Sequence, residues 1–193
     1  MNTKRNTVKS QTLCAILAAI SMVLFLPIFE IPVVAFYKLD FSTLPAILAG
    51  FAMGPVQGII VVLLKDLFHL CMTSTGGVGE LADFIMSCAY VIPASLIYKF
   101  CKNRKGALVS MAVGSLCIIV VSMLVNNYIM IPMYENFMPI EAIIAEGTKV
   151  FSFIDTQTKL ILFITGPFNL LKGIVLSLAT FLLYKRVSPL LHN

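Results

Sequence analysis

No G-x-x-x-x-G-K-S/T phosphate loop occurs in this chain, which excludes ATP hydrolysis by that route. H-E-x-x-H is missing too, and the two histidines, His69 and the tail residue His192, are too few for a zinc set. There is no G-x-S-x-G elbow to present a serine nucleophile. The five cysteines, Cys14, Cys71, Cys88, Cys101 and Cys117, are odd in number and lack C-x-x-C spacing, so apolar packing is their expected role. An enzyme is therefore not expected, nor a cofactor or metal. Charge is scarce: 12% of the 193 residues, against about a quarter in soluble domains. With 59% hydrophobic residues and a mean hydropathy of +0.96, the composition is that of an integral membrane protein. No charge run, low-complexity tract or Pro/Ser linker marks a second unit, so residues 1–193 read as one membrane domain.

The apolar runs give the spans. After MNTKRNTVKSQ, Thr12 to Phe29 is uncharged and ends without a small-x-small cleavage site, so it reads as a retained first helix. Phe41 to Leu64 is either one span or two broken at Gly54-Pro55. Basic residues favour the cytoplasmic side, and the basic clusters are Lys4/Arg5/Lys9, Lys99/Lys102/Arg104/Lys105 and Lys185/Arg186. All three share one side only if the run is two spans, with Gly54-Pro55 as the turn, since proline can open a helix but not continue one. This basic charge is explained by topology without nucleic acid. The nine acids fall outside those clusters, which agrees with the assignment without proving it. The remaining spans are Val56 to about Met72, Leu81 to Tyr98, Ala107 to Pro132 and Leu160 to Tyr184. The expected fold is all-α, a bundle of six transmembrane helices with both termini cytoplasmic. The outer segments Glu30 to Asp40, Thr73 to Gly79 and Tyr134 to Lys159 would surround a cavity mouth.

Polar residues in so apolar a chain are the informative ones. They concentrate in Lys38 to Asp83, which holds Lys65-Asp66, the turn Thr75-Gly76-Gly77, Glu80 and Asp83. Lys172 lies about 12 residues from either end of its span, roughly 18 Å at 1.5 Å per residue, too far to snorkel to water. It needs a partner or a polar cavity. Asn169 precedes it by three residues and shares its helix face. Asn126-Asn127 forms a second amide cluster, and asparagine can read a ligand edge that alternates donor and acceptor. A structural alternative stands beside this reading: Lys172 pairs with Asp83 or Asp66, and Asn169 bonds between helices. Lys65-Asp66 and His69 read as interfacial, near a span end. Glu80 opens a helix, where its dipole favours a carboxylate. Ala15 and Ala19 form a small-xxx-small face, which fits packing inside the bundle slightly better than docking on a partner.

Several stretches resemble one known family. KLDFSTLPAILAGFAMGPVQG, then LLKDLFHL and TSTGGVGELADF, with NYIMIPMY and GPFNLLKG further on, are similar to the riboflavin-specific substrate-binding S component of energy-coupling-factor (ECF) transporters. The likeness covers nearly the whole chain, and the long first motif is the specific part.

The resemblance implies a multi-pass protein of the bacterial cell membrane that captures riboflavin, alone or together with its phosphate, from outside. A transmembrane T component and two cytoplasmic ATPases would then drive its release inward. It implies Asn127, Asn169 and Lys172 as polar contacts to the flavin. Leu39, Asp40 and Phe41, in the Lys38 to Phe41 loop, the Gly79-Glu80 turn and Asp83 would form further pocket wall. Ala15 and Ala19 would be the face that docks on the T component, which turns the reading of that face from packing to partner. Similar sequences have Asn in G-E-L-A-N-F where this chain has Asp83, which favours an ion pair between Asp83 and Lys172. The alternative function is an S component or secondary transporter for another small nutrient, the latter with Asp66, Asp83 and Lys172 as a relay.

Overall fold

The computed structural model describes residues 2–34, 37–73 and 75–191, the side chains of 2–7, 34 and 184–191 excepted. The side chains of Lys4, Arg5, Lys185 and Arg186, and all of His192, thus lie outside the described residues.

Helix α1 (Asn2–Leu24) ends in a 3-10 turn at Pro27–Phe29. A hairpin follows, β1 (Ile31–Val34) antiparallel to β2 (Tyr37–Leu39), with Ile31 opposite Leu39 and Pro32 opposite Lys38. Helix α2 (Thr43–Met53) stops at Gly54, whose φ of +106° is open to glycine but strained for other residues, and Pro55 starts α3 (Pro55–His69). The chain break expected at Gly54-Pro55 is there. After a turn with Gly76 and Gly77 at positive φ come α4 (Val78–Phe100) and α5 (Arg104–Tyr134). A short amphipathic α6 (Ile140–Val150) and the long α7 (157–191) complete the chain.

Two features depart from the all-α, six-helix expectation. The Glu30 to Asp40 segment forms the two-stranded hairpin, because Ile31 to Leu39 pairs its own backbone where it crosses between α1 and α2. The Tyr134 to Lys159 segment contains α6, which buries Ile143 and Gly147 and leaves its charges outward, making seven helices among the described residues. Four helical segments are long and apolar enough to cross a membrane, Pro55–Met72, Val78–Phe100, Arg104–Tyr134 and Gln157–Leu183, while Val8–Leu24 and Thr43–Met53 are shorter.

The outer surface is apolar, with Leu116, Leu182 and Phe100 more than half exposed, as a lipid-facing surface requires. Inside, small residues set the helix spacing. A Cβ on Gly58 would lie 2.5 Å from Val91 Cγ1 and 3.1 Å from the Ala46 carbonyl oxygen, so α3 packs against α2 and α4 at a position only glycine fits. One core cluster, including Ile47, Val62, Tyr90, Val91 and Met111, fills one half of the bundle. A second, of Ile131, Ile143, Ile154, Leu160, Ile161 and Ile164, gathers under α6 in the other half. The cavity described next lies in that second half, beneath the hairpin and α6.

Candidate functional site: a cavity with a charged floor

A cavity of about 460 Å³ opens between the hairpin, α3, α4, α5, α6 and α7. That volume falls in the range typical of small-molecule sites, about 300–1,000 Å³. One wall is apolar, from Met86, Met130, Ile131, Met138, Leu160 and Phe168. Three groups of polar side chains interrupt it.

The first group sits on two π turns. Asn126–Met130 in α5 and Ile161–Thr165 in α7 each insert an extra residue into the helix, and the two turns adjoin one another. Tyr37, from the hairpin, ties them together: its hydroxyl donates to Asn126 Oδ1 at 2.9 Å and lies 2.6 Å from Thr165 Oγ1. With its one proton on Asn126, the phenol oxygen accepts from Thr165. Burial pushes the Tyr37 phenol up to about 12. Asn169, one turn beyond, donates from Nδ2 to the Thr165 carbonyl at 3.0 Å. Its Oδ1 takes no hydrogen bond from any described residue, although the side chain is buried and lines the cavity. An acceptor that the protein leaves without a donor beside a cavity is set to receive one from a ligand.

The floor is a five-membered ion cluster. Lys172 Nζ donates to Asp40 Oδ2 at 3.0 Å and to Asp83 Oδ1 at 3.2 Å. Lys65 Nζ donates to Asp66 Oδ1 at 2.6 Å and also to Asp83 Oδ2. Ser87 donates to Asp83, and the backbone N–H and hydroxyl of Ser42 both donate to Asp40. Lys65 is 0% exposed, Asp66 4% and Lys172 5%. Ionised groups this far from water persist only when paired, which is why two lysines and three aspartates come together here.

The mouth is the third group. His69 Nδ1 lies 2.8 Å from Glu80 Oε1, and its ring stacks on Phe25 with centroids 4.1 Å apart. Lys65 Nζ lies 4.2 Å from the centroid of the same phenyl ring. Glu80 also accepts from Thr73 at 3.0 Å and Thr75 at 3.2 Å, while Lys38 donates to Glu30 at 2.6 Å. No group of three His, Cys, Asp or Glu side chains among the described residues is arranged to hold a metal ion.

The residues singled out in the sequence divide clearly. Asn169, Lys172, Asp40, Gly79, Glu80 and Asp83 line the cavity. Leu39 and Phe41 flank Asp40 without lining it, Leu39 being committed to the hairpin. Asn127 is off the cavity as well, where its Oδ1 accepts from Gln157 at 3.0 Å, and Asn126 lines the cavity in its place. The π turn explains this, since one extra residue per turn rotates the register. Lys65-Asp66 is not an interfacial anchor. Although near the end of α3, it faces Asp83 across the α3–α4 contact and is buried there. His69 likewise faces the cavity. Lys172 pairs with Asp83, one of the two partners considered, but takes Asp40 as its second in place of Asp66. Ala15 and Ala19 are exposed on α1, and Ala15 borders an outer groove with Ser10, Gln11, Gln57 and Ile60.

Comparison with known proteins adds the family. Residues 9–184 match the family model described as "ECF transporter, substrate-specific component". This chain is a member of that family. Like the family, it is an integral membrane protein and a component of a transporter. Among curated relatives, the riboflavin transporter RibU of Staphylococcus aureus (strain TCH60) is 31% identical over 183 residues, 93% of this chain and 90% of that one. The riboflavin transporter FmnP of Bacillus subtilis (strain 168) is 30% identical over 186 residues, 94% and 93% of the two chains. A solved structure described as the S component of a bacterial ECF transporter superposes with a TM-score of 0.75 at 29% identity, covering 97% of this chain and 99% of the other. ThiT from Listeria monocytogenes shares the fold, with a TM-score of 0.63 at 14% identity over 96% and 98% of the chains.

Tyr37 and Asn126 line the cavity but were not read as cavity residues from the sequence, nor were Thr165 and Lys65, which sit behind the lining as partners of Tyr37 and Asp83. The Asn126-Asn127 pair carried a signal for one of the two amides, but which one faces inward depends on the π turn.

Proposed function

We propose that this protein captures riboflavin from outside the cell and delivers it to an ATP-driven ECF importer. The observation that carries the reading is the composition of the cavity. An apolar wall of the size of a small molecule meets the free acceptor of Asn169, with Asn126 and Tyr37 beside it. Isoalloxazine is a flat, largely apolar ring with an amide-like N–H and C=O edge, and its ribityl chain carries hydroxyls. The ring suits the apolar wall, its N–H suits Asn169 Oδ1, and the hydroxyls suit the carboxylates of floor and mouth. The curated relatives named as riboflavin transporters agree with this choice of ligand.

Lys172 enters this site already paired, so its role is to hold Asp40 and Asp83 in place as much as to meet the ligand. Six spans with both termini cytoplasmic follow from the three basic clusters, with the cavity on the opposite side. No ATP-hydrolysing motif is present, so energy must come from partners, a T component and two ATPases. The exposed Ala15 and Ala19 on α1 fit a helix that docks closely on such a partner.

The test is direct. Detergent-purified protein is expected to be yellow, to quench riboflavin fluorescence on titration, and to lose affinity on Asn169→Ala. Colourless protein that does not bind added riboflavin would overturn the reading.

A further inference from the structure

The turn between α4 and α5 carries four cations and no acid, Lys99, Lys102, Arg104 and Lys105. All four are exposed, and none of their side chains forms an ion pair or hydrogen bond among the described residues. By contrast, Lys38, Lys65, Lys149, Lys159 and Lys172 each meet a carboxylate. Asn103 fixes the shape of the turn. Its N–H donates to the Cys101 carbonyl at 2.8 Å, and its Oδ1 accepts from the Gly106 N–H at 2.7 Å.

Exposed apolar side chains run directly into these cations. Leu96 and Phe100 on α4 and Leu108 and Val109 on α5 all face outward, Phe100 at 82% exposure. Lys99 follows Leu96 by three residues, while Arg104 and Lys105 precede Leu108 and Val109 by four. At those spacings each cation ends a helix face that an apolar side chain begins. The topology rule accounts for the sign of this charge but not for its register with lipid-facing residues.

We infer that this turn binds an anionic phospholipid, its acyl chains along Leu96, Phe100 and Leu108 and its phosphate held by Lys99, Arg104 and Lys105. Helical side chains lean toward the N-terminus, so Arg104 and Lys105 at the start of α5 project from the apolar zone to headgroup level. The Arg104 fork can grip two phosphate oxygens, and the lysines add point charges. The apolar faces contact lipid in any case, so the cations decide which lipid stays. Each is worth about fivefold in affinity near an anionic surface. The 23 residues of α4 set this site about 30 Å from the cavity rim at Gly79 and Glu80. It therefore depends in no way on which molecule fills the cavity, and in the topology above its leaflet is the cytoplasmic one.

The chain has no tryptophan, so Phe100→Trp sets a single fluorophore at the site. Flavin-free protein carrying it is reconstituted in mixtures of phosphatidylcholine and phosphatidylglycerol, one or the other brominated on its acyl chains as quencher. Quenching is expected to show a preference for phosphatidylglycerol of roughly tenfold or more, falling to within about twofold when Lys99→Gln, Arg104→Gln and Lys105→Gln are added. Leu116→Trp, on the exposed middle of α5, reports lipid away from the cations and is expected to prefer neither lipid by more than about twofold. The triple variant in the otherwise unaltered chain is expected to bind riboflavin as the parent does. Should it fail to fold, Arg104→Gln alone carries the test, with a preference about fivefold smaller than the parent's. Equal quenching by the two lipids at the Phe100→Trp position, a preference that survives loss of the cations, or the same preference at Leu116→Trp would overturn the site. So would a triple variant that loses its ATPase partners on co-purification from a parent without lipid preference, which assigns the turn to a protein. A parent that shows the lipid preference but binds no riboflavin would overturn riboflavin capture and leave the lipid site standing.

Discussion

Removal of the Lys172 ammonium tests the floor most sharply. Lys172→Met keeps much of the side-chain volume and deletes two ion pairs, at 3.0 Å to Asp40 and 3.2 Å to Asp83. Breaking a buried pair by removing one partner costs about 3–5 kcal/mol, mostly because a charge is left uncompensated. Here the lower end applies, since Asp40 keeps its bonds from Ser42 and Asp83 keeps Lys65 and Ser87. A loss of about 3 kcal/mol from a total of about 5–15 lowers the melting temperature by roughly 6–12 °C for a chain of this size. Asp83→Asn is the informative control. It takes one carboxylate from each lysine, but Lys65 keeps Asp66 and Lys172 keeps Asp40, and the floor becomes neutral. Its cost is therefore only about 1 kcal/mol, or roughly 2–4 °C. In the double variant Asp83 no longer loses a cation, so the effects are less than additive by about 1 kcal/mol. The assay is thermal unfolding in detergent without flavin, which separates stability from binding. A Lys172→Met protein melting within about 2 °C of the parent, or Asp83→Asn proving the costlier change, would refute this account of the cluster.

Four further outcomes follow from the geometry. Asn169→Ala removes the free acceptor beside the cavity and is expected to weaken riboflavin by about 1–3 kcal/mol, roughly 5- to 150-fold by fluorescence titration. Asn127→Ala, at a residue bonded to Gln157 off the cavity, is expected to change affinity by less than about threefold. Ala19→Trp, on the exposed face of α1, is expected to retain flavin binding but to lose co-purification with a T component and its ATPases, because a bulky ring prevents close helix approach. Tyr37 carries a pH dependence. Its folded-state phenol is held at about 12 against an ordinary 10, so the neutral form's stabilisation is whole below pH 10 and is lost as pH rises toward 12, where the unfolded chain ionises first. Melts between pH 9 and 11 should fall more steeply for the parent than for Tyr37→Phe, by up to about 1.4 kcal/mol per pH unit.

Much of this was legible in the sequence because a bilayer imposes local rules. Apolar runs located α2 to α5 to within about three residues, though α1 begins well before Thr12 and α6 was not read, and Gly54-Pro55 marked the break between α2 and α3. Spacing put Asn169 and Lys172 on one face, and both line the cavity. The failures share a cause. Lys65 and His69 look interfacial when position along a span is the only guide, yet α4 brings Asp83 and Glu80 against them. The motif resemblance points to Asn127, whereas it is Asn126 that lines the cavity, the π turn setting which of the two side chains faces inward. Tyr37 lies in a segment with no helical period, and only its 2.9 Å and 2.6 Å bonds to α5 and α7 reveal it as part of the wall.

The sequence by itself determined that the chain lives in a membrane, where its long apolar helical runs lie, and that an ammonium and an amide must sit deep within one of them. These follow from composition and short-range periodicity. Only the tertiary structure decided which carboxylate neutralises which lysine, since Asp40, Asp83 and Lys172 are far apart along the chain and meet only when α4, α7 and the end of the hairpin converge. Pairing of charges is a property of distance in space, and in an interior with no water that pairing fixes both the floor of the cavity and the sign of its field.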